Sequence, residues 1–243
     1  MNPISRERVI IEASARVLTS RYHKDLPFEK AVNLVERNRA LDKPALYAGA
    51  NKNIADFLAT GCKMGVFVDP MYSQTRPSSG QTNLQLFLEN FRSSLSMIEG
   101  ATNPTIKEEG NIKKRSGKWI MRFYFHKEER TVACYGSSIT SLGVMSEPPE
   151  LESGVTHYTT VHFPSEWRES FTHPHLLSLV VPGGHLETWH PHTVQPMLDL
   201  YKFELLHRNG SNDQIKAMHG ELTVNGVSLY NTLFEYAIFR KNA

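Results

Sequence analysis

The sequence predicts an α/β protein: a doubly wound, mostly parallel sheet with an antiparallel last strand, preceded by a helical extension. Three observations predict it. The short apolar run Ala45-Leu46-Tyr47-Ala48 leads into Gly49, a helical pattern, a second apolar run from Met64 to Val68, and then Asp69, which is a strand, turn, helix, strand and acid in the order of a Rossmann-like βαβ unit. Further strand candidates downstream are separated by helical patterns, as parallel strands require. The chain closes on two long strand patterns, Tyr201 to His207 and Leu229 to Arg240, around a helical stretch from Asp213 to Met218.

The elements follow in order. Val9, Ile10, Ala13 and Val17 share one helical face, and Phe28, Ala31, Val32 and Val35 share another, with Pro27 in a first turn where its missing N–H is tolerated. Asp42-Lys43-Pro44 ends this region, because the residue before proline avoids the helical conformation. The expected division is a helical extension over residues 1–42 and one domain over 43–243. In the first βαβ unit, Asn51 and Asn53 are candidate caps, Ile54, Phe57 and Leu58 form the apolar stripe, and Gly61 stops the helix. Thr82 and Gln85 fit a capping box, and Leu84, Leu88, Phe91, Leu95 and Ile98 keep one apolar face up to Gly100.

The stretch from Thr102 to Lys118 reads as a polar connector. Its Lys107, Lys113, Lys114 and Arg115 lie beside Glu108 and Glu109, with no adjacent aromatic residue to stack a base, so a solvated loop is favoured over a nucleic-acid site. Trp119, Met121, Phe123 and Phe125 alternate along a strand. A turn at Lys127-Glu128-Glu129-Arg130 then returns the chain as Thr131 to Tyr135, an antiparallel hairpin ending in Gly136-Ser137-Ser138. His157 to Phe163 is a further strand. Leu176 to Val181 reads as a helix running into a Pro182-Gly183-Gly184 turn, and His185 to His190 as the next strand.

Composition bounds the function. The 243 residues carry a net charge of +2, so the overall field does not call for a nucleic acid or an acidic membrane as partner. Two cysteines, Cys62 and Cys134, cannot build a disulfide framework or a four-cysteine zinc site. With no apolar stretch of about 20 residues and no signal-like start, a cytoplasmic protein is expected.

The nucleotide-like unit has a physical logic. A helix start offers unpaired N–H groups and partial positive charge, while a carboxylate at the neighbouring strand end can accept both hydrogen bonds of a ribose diol. Parallel strands bring their carboxyl ends to one edge, so Ala48 to Asn51, Asp69, Ser137 and Phe163 are expected together there.

On these motifs the chain resembles a class I S-adenosylmethionine-dependent methyltransferase domain from about Lys43 to Lys241. Leu46-Tyr47-Ala48-Gly49-Ala50-Asn51 resembles the family's first-strand motif, and Val66-Phe67-Val68-Asp69-Pro70 its second, with the ribose-binding acid. His157 to Pro164 resembles the fourth strand. The stretch from Leu179 to Leu186 is similar to the helix, turn and fifth strand, and the two final patterns suit strands six and seven, the last inserted antiparallel. The resemblance implies S-adenosylmethionine as cofactor, with Gly49, Ala50 and Asn51 at its methionine side, Asp69 at the ribose, and Ser137 with Ser138 at the adenine edge. It also places His162 beside the transferred methyl group, as general base toward an unidentified acceptor. The first turn is poorer in glycine than the family's. Ser137 and Thr156 stand where acids are common, so a catalytically silent binding or scaffold protein of the same fold is the alternative.

Other constellations were weighed. His173-Pro174-His175 and His190-Pro191-His192 could present imidazoles to a metal, but no H-E-x-x-H helix or cysteine pair accompanies them, and surface loops explain them; no metal site is expected. There is no G-x-S-x-G elbow and no P-loop, and Cys134 in an apolar strand reads as core. Asn51 and Ile54 occupy two glycine positions of the dinucleotide fingerprint, which argues against a nicotinamide dehydrogenase.

Overall fold

The structure, a computed structural model, describes residues 5–21, 23–48, 54–69, 72, 74, 80, 82–109, 118–136, 148–160, 174–188, 198–208, 223–224, 227–228 and 237–243. Helices α1 (Arg6–Arg21) and α2 (Phe28–Leu41) come first, followed by β1 (Ala45–Ala48), α3 (Ile54–Thr60), β2 (Met64–Val68) and α4 (Asn83–Ser96). Strands β3 (Thr105–Glu109), β4 (Lys118–Phe125), β5 (Glu128–Tyr135) and β6 (Val155–Thr160) precede α5 (Pro174–Leu179). The remaining strands are β7 (Val180–Thr188), β8 (Phe203–Arg208), β9 (Thr223–Val224), β10 (Val227–Ser228) and β11 (Ala237–Lys241).

Nine strands form one sheet in the order β3-β4-β5-β2-β1-β6-β7-β11-β8. The five central strands, β5-β2-β1-β6-β7, are parallel. Antiparallel pairs flank them: β3 and β4 on one side, β11 and β8 on the other. The strand order reverses around β1, which is the switch point of a doubly wound, Rossmann-like sheet. The last strand, β11, is inserted antiparallel between β7 and β8, as expected.

Each face of the sheet carries its own core. Leu46, Val66, Val68, Tyr158, Leu186 and Phe239 pack with Leu151, Leu176, Leu177 and Leu198 on one side. On the other, Tyr47 and Phe67 stack at 4.5 Å between ring centres and meet Phe57 of α3 and Phe87, Leu88 and Phe91 of α4. Helix α4 starts on the expected capping box: Thr82 Oγ1 accepts from the Gln85 N–H, and Gln85 Oε1 from the Thr82 N–H. Ile54, Phe57 and Leu58 are buried, and α3 ends where Gly61 takes φ +75°. A Cβ at that glycine would lie 2.6 Å from Val35 Cγ1, so no other residue closes this helix without moving α2.

Several expectations are corrected. The buried face of α1 is Ile10, Ile11, Ser14, Ala15 and Leu18, whereas Val9 is 37% exposed; α1 is wedged between α2 and α3, which turns its face from the one the apolar spacing suggested. Phe28 is likewise 37% exposed, at the first turn of α2. The connector from Thr102 contains an edge strand, β3, because β4 presents an open ladder to it. The β4–β5 turn is His126-Lys127, with φ of 47° and 65°; Phe125 pairs with Glu128, so Glu128 to Arg130 belong to the strand. That two-residue turn matches the right-handed strand twist. Pro182-Gly183-Gly184 lies inside β7 rather than before it, accommodated by a register shift against β6 and by φ +81° at Gly183. Residues 213–218, 161–163 and 229–236 lie outside the described residues, so the helix expected near Asp213 and the outer parts of two strand patterns do too.

Candidate functional site at the carboxyl edge of the parallel strands

The central strands end together. Ala48 pairs with Val68 and with Thr160, Val68 with Tyr135, and Thr160 with Thr188, so five carboxyl ends form one edge, the ligand-binding edge of open α/β sheets. Asp69 stands on it, one residue beyond Val68, the register partner of Ala48 at the end of β1. Its main chain is held on both sides: Asp69 N–H donates to Tyr135 O at 3.0 Å, and Asp69 O accepts from the Tyr72 N–H at 3.2 Å. Asp69 is half-buried, with its backbone fixed. Gly49, Ala50, Asn51, Ser137, Ser138, His162 and Phe163 lie outside the described residues; of the expected site residues, the structure places Asp69.

Just inside this edge, on the face covered by α1 to α3, lies a buried polar layer that the sequence reading missed. Tyr47, Thr159 and Glu187 are register partners across β1, β6 and β7, and His157 and His185 form the next row. All five are buried. The Nε2–H of His23, from the segment after α1, reaches Glu187 Oε1 at 3.1 Å, and His157 Nε2 lies 3.3 Å from Glu187 Oε2 and 2.9 Å from Thr159 Oγ1. His185 Nδ1 meets Asn38 Oδ1 of α2 at 2.7 Å, and Asn38 Nδ2 donates to Thr60 O at 2.9 Å. Burial, reinforced by His157, pushes the His185 pKa down to about 3. Tyr47 donates its hydroxyl to Asp56 O at 3.0 Å, and burial raises its pKa well above the ordinary phenol value. The period-2 alternation of His185, Glu187 against Leu186, Thr188 was the available clue. It was legible only once α2 was known to cover that face, since a polar strand face ordinarily points to water.

A second polar group sits on the opposite face near the same edge. Glu150, in a single 3-10 turn (Pro149–Leu151) before β6, accepts from Lys118 Nζ and from the Tyr135 hydroxyl, each at 2.7 Å. Burial works to raise its pKa, but those two hydrogen bonds outweigh it and hold the carboxyl below its usual range. The contact ties the approach to β6 onto the end of β5, next to Asp69.

Cys62 and Cys134 are buried free thiols. Burial pushes Cys62 up to about 11 and Cys134 higher still, so neither is a nucleophile at neutral pH, as expected for Cys134. Among the described residues no three His, Cys, Asp or Glu side chains are grouped to hold a metal ion, and no helix is long and apolar enough to cross a membrane.

Solved structures are distantly similar to the chain over most of its length. One is the O-methyltransferase TomG from Streptomyces achromogenes, solved in complex with SAM; the match spans 96% of this chain and 90% of that one, at 12% identity and a TM-score of 0.42. Another is a 16S rRNA (adenine(1408)-N(1))-methyltransferase from Catenulisporales acidiphilia, matched over 88% of this chain and 94% of that one, at 10% identity and a TM-score of 0.40. These likenesses carry no residue role to this chain. No protein-family model and no curated protein matches the chain.

Proposed function

We propose that the chain is a cytoplasmic methyltransferase that binds S-adenosylmethionine across the carboxyl edge of β1, β2 and β5 and passes its methyl group to an unidentified acceptor. The supporting observation is the position of Asp69: a half-buried acid, fixed through its main chain, one residue past β2 and adjacent to the end of β1. That is where two vicinal hydroxyls of a ribose find both oxygens of a carboxylate. In this reading the domain is residues 43–243, and residues 1–42 are a helical extension laid over it.

The cofactor supplies a methyl group already activated on a sulfonium, so the protein's part is alignment of donor and acceptor. Asp69 orients the nucleoside. Gly49, Ala50 and Asn51 follow β1 and would offer backbone N–H groups to the methionine end, while Ser137 and Ser138 would bound the base. His162, two residues past Thr160, would take the proton of the acceptor.

The test is thermal stability against added S-adenosylmethionine. A ligand at a hundred times its dissociation constant stabilises by about 2.7 kcal/mol, which raises the melting temperature by several degrees for a chain of this size. No shift at millimolar cofactor would remove the reading and leave a methyltransferase-like fold with a binding or scaffold role. A shift accompanied by labelled methyl transfer to a component of cell extract would identify the acceptor class.

A further inference from the structure

We propose that the contact of α1, α2 and their connecting segment with β6, β7 and β8 is an acid-released clasp: protonation of His185 and His207 frees the helical pair from the sheet. This inference stands apart from the methyl-transfer reading and does not depend on it.

Four imidazoles gather at this contact. His23 meets Glu187, and its ring lies 5.4 Å from that of His207. His207 Nε2 in turn is 3.2 Å from Asp25 Oδ1. His185 and His157 are register partners on β7 and β6. His23, His157 and His185 are buried, each at 2% exposure or less. Clusters of imidazoles at a docked interface respond to modest acid, because they are the side chains that change charge in that range.

The tautomers set the direction of the response. Asn38 Nδ2 donates to Thr60 O, which turns Oδ1 to His185, so His185 Nδ1 must be the donor in that bond. A second proton would go on Nε2 and create a buried cation. The groups facing it are Asn38 and Arg37 from α2, His157 from β6, Arg240 from β11 and Glu187 on its own strand. Arg37 and Arg240 are cations and disfavour it. For His207 the neighbours are His23 and Asp25 from the connecting segment and Lys30 from α2; burial first, then the His23 ring, holds its pKa below the ordinary value despite Asp25. Both histidines therefore bind a proton more readily once hydrated than while docked. Docking is full above about pH 6.5 and is lost as the pH falls below it, by up to tenfold per pH unit for each group.

The apolar contacts allow such a release. The cluster that holds the two helices contains Ile11, Ala15, Leu18, Leu26, Ala31, Val32, Leu34 and Val35 from the helical pair itself, against Ala59 and Ile238 from the rest of the chain. Ile10 and Ala13 add a contact to the core on that face. The packing of α1 on α2 is kept on undocking, and the contact of α1 with α3 is the one that must open. The last turn of α2, which also carries Asn38, is held as well by Arg39 on Glu128 and on Gly61 O. Those two guanidinium–carboxylate bonds do not titrate between pH 7 and 5, so that end acts as the hinge.

Hydrogen exchange on the full chain at pH 7.5 and 5.5, corrected for the intrinsic rate, tests this. Amides of residues 6–41 are expected to lose at least tenfold protection at pH 5.5 while α4 and the β4–β5 hairpin keep theirs. His185→Gln, whose amide can still donate to Asn38, and His207→Gln should each reduce that pH response severalfold. Equal protection at both pH values, loss of protection in all elements together, or an unreduced response in the folded variants would overturn the clasp. If His185→Gln does not fold, His207→Gln alone decides.

Discussion

Arg39 and Glu128 face each other fork to fork: Arg39 Nη1 lies 3.0 Å from Glu128 Oε2, and Nη2 lies 2.8 Å from Oε1. The pair joins the last turn of α2 to the first residue of β5. Arg39 also takes Glu7 of α1 through Nε at 2.6 Å. Arg130 stands behind it, buried, with Nη1 donating to Gly61 O at 2.7 Å and Cys62 O at 2.5 Å, and Nη2 2.8 Å from Glu128. Burial lowers the Arg130 pKa to about 10 despite the attraction of Glu128, which still leaves it charged at neutral pH. One carboxylate therefore serves two guanidinium groups that are largely out of water.

Glu128→Gln is expected to destabilise the chain by roughly 2–4 kcal/mol, because it leaves the buried Arg130 without a carboxylate while Arg39 keeps Glu7. Denaturant unfolding of wild type and variant measures it. Burial tends to raise the Glu128 pKa, but Arg39 and Arg130 more than reverse this and hold it below the usual carboxylate value. The stabilisation is thus complete above the unfolded-state pKa of about 4.3 and fades as pH falls through the lower folded value. A wild-type stability that is flat from pH 5 to pH 2.5, or as steep in Glu128→Gln, would count against this.

Gly100→Ala should cost about 2 kcal/mol or more. Gly100 has φ +79°, and a Cβ there would lie 2.5 Å from His126 Cε1 in the β4–β5 turn, so backbone strain adds to a collision. Gly80 has φ +67° with nothing among the described residues within 4 Å of the added Cβ. Gly80→Ala therefore carries the strain alone, about 1 kcal/mol. Thermal unfolding of the two variants side by side should rank them in that order.

Asp69→Ala should weaken S-adenosylmethionine binding at least tenfold while the fold persists. The carboxylate would contribute charge-assisted hydrogen bonds of about 1.5–3 kcal/mol, and the strand end is held by main-chain bonds that the substitution leaves in place. Calorimetry on both proteins decides; equal affinities would move the ribose elsewhere.

Neither thiol should react with a soluble disulfide reagent at pH 8 in the folded protein, and both should react after unfolding. Burial keeps Cys62 and Cys134 protonated and out of reach. Rapid labelling of the native chain would show that α3 or β5 opens locally.

The sequence by itself determined the elements whose cause is local. The Thr82–Gln85 box, the stop at Gly61 and the alternation of Met121, Phe123 and Phe125 depend on residues a few positions apart, so each could be read without a partner. Asp69 was legible for the same reason, as an acid closing an apolar strand. The tertiary structure decided what depends on a partner distant in sequence. Tyr47, Thr159 and Glu187 became a buried row only when β1, β6 and β7 aligned; His23 and Glu187, 164 residues apart, met only when the helices covered that face. The face of α1 was set in the same way, by its wedge between α2 and α3, because a helix with apolar residues on more than one side buries the side its neighbours leave to it.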